Sequence, residues 1–131
     1  MAKLAILCVD DEVIILNSII RQLQDEFEEK YTYEAAESAE EALEILAELE
    51  EEEIKTIVIV SDWLMPGMKG DEFLIEVHKR FPQVVKILLT GQADEAAIEK
   101  ANKYAALHRY IAKPWDKKDL IGSIISGVEK L

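Results

Sequence analysis

Four short strand-like runs in this sequence each end at or near a residue that can do chemistry. Leu4 to Val9 leads into Asp10-Asp11-Glu12, Ile57 to Ser61 into Asp62, Val84 to Leu89 into Thr90, and Arg109 to Ala112 into Lys113. A run rich in β-branched residues that stops at a polar side chain and a Pro/Gly loop is how a buried strand delivers a functional group to a rim. Asp62 shows this most clearly, because Trp63-Leu64-Met65-Pro66-Gly67-Met68-Lys69-Gly70 follows it at once. Asp10, Asp11 and Asp62 gathered on one rim would repel one another unless a cation sat among them. Mg²⁺ suits such a place, since it takes oxygen ligands, keeps several waters and needs few carboxylates. With a metal ion and Lys113 to neutralise charge and Thr90 to donate a hydrogen bond, the set suits phosphoryl oxygens. Asp62 could then attack phosphorus to give an acyl phosphate. Taken singly, every piece has an ordinary explanation. An Asp-Asp pair before a helix is a cap, Asp62 could cap a turn, and Thr90-Gly91 and Lys113-Pro114 are a turn and a surface dipeptide. Their coincidence at four strand ends shifts the odds to function.

The elements that must position these groups alternate along the chain. Lys3 to Val9 reads as a strand apolar nearly throughout, as parallel strands buried on both faces are. Val13, Leu16, Ile20, Leu23 and Phe27 recur three or four residues apart and predict a helix. Tyr31 to Ala35 is a weaker strand. Ser38 with Glu41 forms a capping-box pattern ahead of a helix carrying Ala39, Ala42, Leu43, Leu46 and Leu49. Thr56 to Ser61 is the third strand; Phe73, Leu74, Val77 and Phe81 mark a helix stopped by Pro82. Val84 to Leu89 is the fourth strand. A helix from Asp94 with the thin apolar face Ala97, Ile98 and Ala101 is expected to be the least firmly packed element. The short strand at Arg109 to Ala112 precedes a last helix from Asp116, buried through Leu120, Ile121, Ile124, Ile125 and Val128. Gly122 and Gly127 weaken that helix by about 1 kcal/mol each relative to alanine, which would allow another backbone to pack closely there. Five strands alternating with five helices predict a doubly wound α/β domain with a parallel sheet and right-handed crossovers. Ligands in such sheets sit beyond the carboxyl ends of the strands.

Length and composition agree with one domain spanning residues 1–131. The formal charge of −12 argues against nucleic acid as a partner. No apolar run is long enough to cross a bilayer and no signal-peptide pattern precedes the first strand, so a cytoplasmic protein without membrane contact is expected. The lone Cys8 lies inside an apolar run and reads as core filler. Glu48 and Glu50 to Glu53 read as a solvated helix end and loop.

From Lys3 onward the chain resembles a two-component response-regulator receiver domain of the chemotaxis-regulator type. The resemblance is carried by Val9-Asp10-Asp11-Glu12, Asp62 to Gly70, Leu89-Thr90-Gly91 and Tyr110-Ile111-Ala112-Lys113-Pro114. It implies a flavodoxin-like sheet of strand order 2-1-3-4-5. It further implies that Asp62 accepts a phosphoryl group from a sensor histidine kinase or phosphotransfer protein. Asp11, Asp62 and the Leu64 carbonyl would bind Mg²⁺ directly, with Asp10 acting through water. Thr90 and Lys113 would contact the phosphoryl oxygens, and Tyr110 would be a switch aromatic that turns inward as Thr90 moves. The signal would pass to a downstream effector or a fused output domain. Leu64 and Gln92 stand where receivers tune phosphoryl lifetime; an apolar Leu64 cannot position an attacking water, which implies slow self-dephosphorylation. Trp115 reads as a hydrophobic lid or anchor of the last helix. An aspartate-nucleophile phosphohydrolase is the competing enzyme class, but it calls for Asp-x-Asp where Leu64 stands. A flavin-binding domain of the same topology would find its phosphate repelled by Asp10-Asp11-Glu12. A degenerate receiver used only for docking is opposed by the completeness of the site.

Overall fold

The computed structural model describes residues 3–91 and 95–131; the expected helix start at Asp94, and Gln92, lie outside the described residues. Strands β1 (Leu4–Val9), β2 (Thr32–Ala36), β3 (Lys55–Asp62), β4 (Val85–Thr90) and β5 (Arg109–Ala112) form one sheet in the order β2-β1-β3-β4-β5. Every neighbouring pair is parallel. Parallel pairing demands long crossovers, which are supplied by α1 (Val13–Phe27), α2 (Ala39–Glu51), α3 (Gly70–Arg80) and α4 (Glu95–Ala105); α5 (Lys117–Glu129) closes the chain. This is the flavodoxin-like α/β architecture expected above.

Two apolar layers hold the sheet. Leu16, Ile19 and Leu23 of α1 and Leu120, Ile121 and Ile124 of α5 pack on Ile6, Cys8, Val58, Val60 and Ile87. On the other face Ala42 and Leu46 of α2 and Phe73, Leu74 and Val77 of α3 pack on Leu7, Val9, Ile59 and Leu88. The central strands therefore meet apolar side chains on both sides, which is why their sequences run apolar instead of alternating. The edge strands β2 and β5 keep mixed faces, and in β5 Ile111 alone is buried. Cys8 is fully buried, and burial pushes its thiol well above the ordinary range, in keeping with core filler.

Several local details depart from the sequence pattern. In α1 the buried stripe runs through Leu16, Ile19 and Leu23, whereas Ile20 is half-buried and Val13 is 47% exposed. At the start of the helix Val13 and Ile14 are exposed, so the stripe begins at Leu16. The Ser38 hydroxyl accepts the Glu41 N–H at 3.1 Å as a cap should, but the Glu41 carboxylate accepts from the Glu37 N–H, one residue before the cap. Phe81 lies just beyond α3 as its C-cap. Of the two α5 glycines, Gly122 faces open space, while Gly127 is pressed against the Val85 and His108 side chains, so the close approach occurs once and not to backbone. Gly70 is the position where backbone meets backbone. A Cβ there would collide with the Asp62 carbonyl and lie 2.8 Å from Trp63 Cα, so only glycine lets α3 start directly under the end of β3.

Candidate functional site

The carboxyl ends of β1, β3, β4 and β5 lie side by side and bring the expected residues to one rim. Asp10 directly follows β1, and its amide holds the Ala36 carbonyl of β2 at 3.1 Å. Its carboxylate is fully buried. Oδ1 accepts the Glu12 N–H at 2.8 Å and Oδ2 accepts from Lys113 Nζ at 2.9 Å. Asp62 ends β3 opposite Leu89 of β4 and is 5% exposed. Its Oδ1 accepts from the same Lys113 amine, also at 2.9 Å. Asp11 is exposed, yet ligand oxygens of Asp10, Asp11 and Asp62 all fall within 4.8 Å of one another. Thr90 ends β4, buried, and its carbonyl accepts the Lys113 N–H at 2.9 Å, which anchors the lysine's backbone beside the acids.

Charge governs how these groups titrate. Asp62 has its pKa raised, first by burial and then by the negative charges of Asp10 and Asp11; the hydrogen bond and charge of Lys113 pull the other way and do not win. For Lys113 burial disfavours the charged amine, but hydrogen bonds to Asp62 and Asp10 and their Coulombic attraction outweigh it, so its pKa is raised. The two shifts describe one imbalance: among the described residues, the Lys113 amine is shared by Asp10 and Asp62, with the Asp11 carboxylate close beside them. Hard oxygen donors that close together with net negative charge fit a divalent cation of the magnesium kind.

Other expected residues lie at the edges of this cluster. Leu64 is 56% exposed beyond the end of β3, and Tyr110, paired with Leu88 in the sheet, is 45% exposed. Trp115 packs against the α1–α5 core layer and its indole N–H donates to Gln22 Oε1 of α1 at 2.8 Å. It therefore fastens the loop after Lys113-Pro114 to α1 as well as anchoring α5. Two buried charges had gone unnoticed in the sequence. Lys86 lies inside β4, and Asp71 sits in the first turn of α3. Asp71 follows Gly70 in a motif already singled out, but Lys86 had no signal beyond being one charge in an apolar run.

The response regulator receiver domain model matches residues 6–125 of this chain. The hydrogenase transcriptional regulatory protein HoxA of Cupriavidus necator is 35% identical over 95% of this chain, and the match takes up 24% of that protein. The sensor kinase CckA of Brucella abortus is 33% identical over 95% of this chain and 12% of its own length. The chain thus spans a quarter or less of these curated relatives. The crystal structure of the signal receiver domain of an HD domain-containing protein from Pseudomonas fluorescens Pf-5 superposes with a TM-score of 0.86 at 31% identity, covering 96% of this chain and 94% of that one. A family model matching residues 6–125, joined to this strand order and this acidic rim, establishes that the chain belongs to the response regulator receiver domains, which are phospho-accepting signalling modules.

Proposed function

We propose that Asp62 is the phosphoacceptor and that its reaction is served by Asp10, Asp11, Thr90 and Lys113. The observation that carries this is the Lys113 amine held 2.9 Å from both Asp10 and Asp62 within a cluster of three carboxylates. Transfer from a histidine kinase or phosphotransfer protein forms a bond between an Asp62 oxygen and phosphorus. The phosphorus–nitrogen bond of the donor phosphohistidine breaks, and its electron pair stays on the imidazole. Lys113 then serves the phosphoryl oxygens instead of the free carboxylates, with the Thr90 hydroxyl as a further donor. Asp11, Asp62 and the Leu64 carbonyl would hold Mg²⁺ directly, and Asp10 through water. The bound ion supplies charge neutralisation between the acids and the incoming phosphoryl group. The module turns over no external substrate. Its output runs through Tyr110, which turns inward from its exposed position as Thr90 moves, and so alters a face offered to a downstream effector or fused output domain.

Among the described residues no helix is long and apolar enough to cross a membrane, and the net charge of −12 opposes contact with nucleic acid through this domain. We assign the switch to the cytoplasm on the strength of its kinase-type phosphodonor. Incubation with acetyl phosphate and Mg²⁺ should add a single phosphoryl group of about 80 Da to the parent and nothing to Asp62→Asn. An adduct that survives in Asp62→Asn, or steady phosphate release from simple esters, would overturn the assignment.

A further inference from the structure

Directly after Asp62 a second set of polar contacts begins at Trp63 and runs through α3 to α4. The Trp63 amide donates to the Leu89 carbonyl at 2.9 Å and its carbonyl accepts from Gly70 at 2.8 Å, so the residue after Asp62 is clamped to β4 and to the start of α3. Its indole N–H donates to Asp71 Oδ1 at 3.0 Å. The other Asp71 oxygen faces Lys100 Nζ of α4 at 3.8 Å. Asp71 is only 5% exposed, whereas the Lys100 side chain is 48% exposed. Lys69 adds a cation 5.2 Å from the Trp63 ring centroid.

A buried carboxylate at this position needs both of those partners. The α3 N-terminus favours a negative charge in its first turn, but burial of a carboxylate without a counter-charge is costly, and the counter-charge comes from α4. That helix buries Ala97, Ala101 and Ala105. Alanine side chains offer little apolar area, and of the larger α4 side chains Ile98 is partly buried against the core, so the ion pair is one of few contacts that fix where α4 sits. At the other end of the chain of contacts, Gly70 leaves no free space between the Asp62 carbonyl and α3. A shift of the Asp62–Trp63 peptide cannot be absorbed at that joint and must move the indole, its carboxylate partner or both.

We propose that Asp71 is a positioning residue that couples the phosphoacceptor strand end to α4 through Trp63 on one side and Lys100 on the other. The proposal rests on the phospho-switch reading above and adds a route that bypasses Thr90 and Tyr110. Three variants cut it at different points. Asp71→Asn keeps an oxygen for the indole but loses the charge that holds Lys100; Trp63→Phe loses the indole donor and keeps the ion pair; Lys100→Met changes a half-exposed side chain and leaves Asp71 in place.

The measurement is the change in amide chemical shifts of ¹⁵N-labelled protein on adding beryllofluoride with Mg²⁺, read separately around Asp62 and Lys113 and over residues 95–105. In each variant the response around Asp62 and Lys113 is expected to match the parent, while that of residues 95–105 falls to half or less. The Trp63→Phe/Asp71→Asn pair should lose no more than the larger single loss, since both cut one route. An α4 response equal to the parent's in Asp71→Asn and in Lys100→Met overturns the coupling and leaves the phosphoacceptor assignment standing. A parent that shows no response at Asp62 or Lys113 overturns both.

Discussion

Two lysines, one inside β4 and one just past the end of neighbouring β5, are drawn into the fold for opposite reasons. Lys113, just past the end of β5, has a side chain 14% exposed and reaches two carboxylates at 2.9 Å. Lys86, within β4, is 1% exposed, and its amine donates to the Val84 carbonyl at 2.8 Å. The acids around Lys113 overcome the burial penalty and raise its pKa, whereas burial alone lowers that of Lys86 to about 8. Burial is thus no mark of function for an amine. What separates the two is the counter-charge, placed at the carboxyl ends of the strands where ligands of such sheets bind. The opposite end of the sheet offers a pocket of about 380 Å³ whose floor is Leu46, Ile54, Phe81 and Val84; Glu50, Glu53 and Lys55 also line it but are exposed, unlike the buried Asp10 and Asp62 of the rim.

The sharpest way to break this contrast is to remove each charge in turn. Lys113→Met takes away the one amine shared by Asp10 and Asp62. Phosphorylation from acetyl phosphate should fall by about a hundredfold or more, the usual cost of losing a charged donor that meets a developing anion. Stability to urea at neutral pH should fall by about 3 kcal/mol, as expected for breaking a buried pair. Lys86→Met should leave the phosphorylation rate within about twofold of the parent, since a change confined to the core far from the site alters no transition-state contact. If the two variants lost phosphorylation equally, the distinction drawn here would fail.

That contrast also shows what the sequence could and could not reveal. Asp10, Asp11, Asp62, Thr90 and Lys113 were legible because each closes an apolar run, and a parallel sheet sends all such ends to one rim. Lys86 was not, because one lysine in a run such as Val84 to Leu89 reads as a solvent-facing break, and only the tertiary cover of the sheet decides otherwise. Asp71 was hidden for another reason: an acid in the first turn of a helix is sufficiently explained by the helix dipole, and its partners come to it only in the fold, Trp63 through the loop that returns from β3 to α3 and Lys100 through the packing of α3 against α4. In α1 the pattern gave the helix correctly but placed Ile20 where Ile19 is buried, since a repeat of three or four cannot by itself fix the rotation of the stripe. The pair Trp115 and Gln22 lies 93 residues apart in the chain and has no local signal at all.

Metal binding sharpens the contrast from the other side. Three carboxylates with one amine leave uncompensated charge, so Mg²⁺ should stabilise the parent by about 2.7 kcal/mol at a hundred times its dissociation constant, and a chelator should remove that gain. The shift in urea midpoint measures it. In Lys113→Met the metal becomes the sole compensation for Asp10, Asp11 and Asp62, and the Mg²⁺-dependent gain should grow. In Lys86→Met it should equal the parent's. In Asp11→Asn, which removes one direct ligand of the proposed set, it should shrink. A gain that is unchanged in Asp11→Asn would detach the acidic cluster from the metal.

The smallest effect concerns Lys86 itself. Its folded-state pKa of about 8 lies below the ordinary value of 10.5, so at neutral pH the folded protein carries a charge that burial disfavours. Between those two values the unfolded chain binds a proton that the folded chain does not, and stability therefore rises as pH increases from about 8 toward 10.5. Below about 8 both states are protonated and the penalty is constant. At 1.36 kcal/mol per pKa unit it amounts to at most about 3 kcal/mol. Lys86→Met removes that penalty but takes a donor from the Val84 carbonyl, which costs about 1 kcal/mol. The variant should thus be more stable than the parent by about 2 kcal/mol at pH 7, opposite in sign to Lys113→Met. Its advantage should shrink steadily above pH 8, because the parent sheds the buried charge there and the methionine has none to shed. Urea melts of parent and variant at matched pH values isolate this difference from every other titrating group. A constant offset across that range would mean that the Lys86 amine is solvated and not held uncompensated in the core.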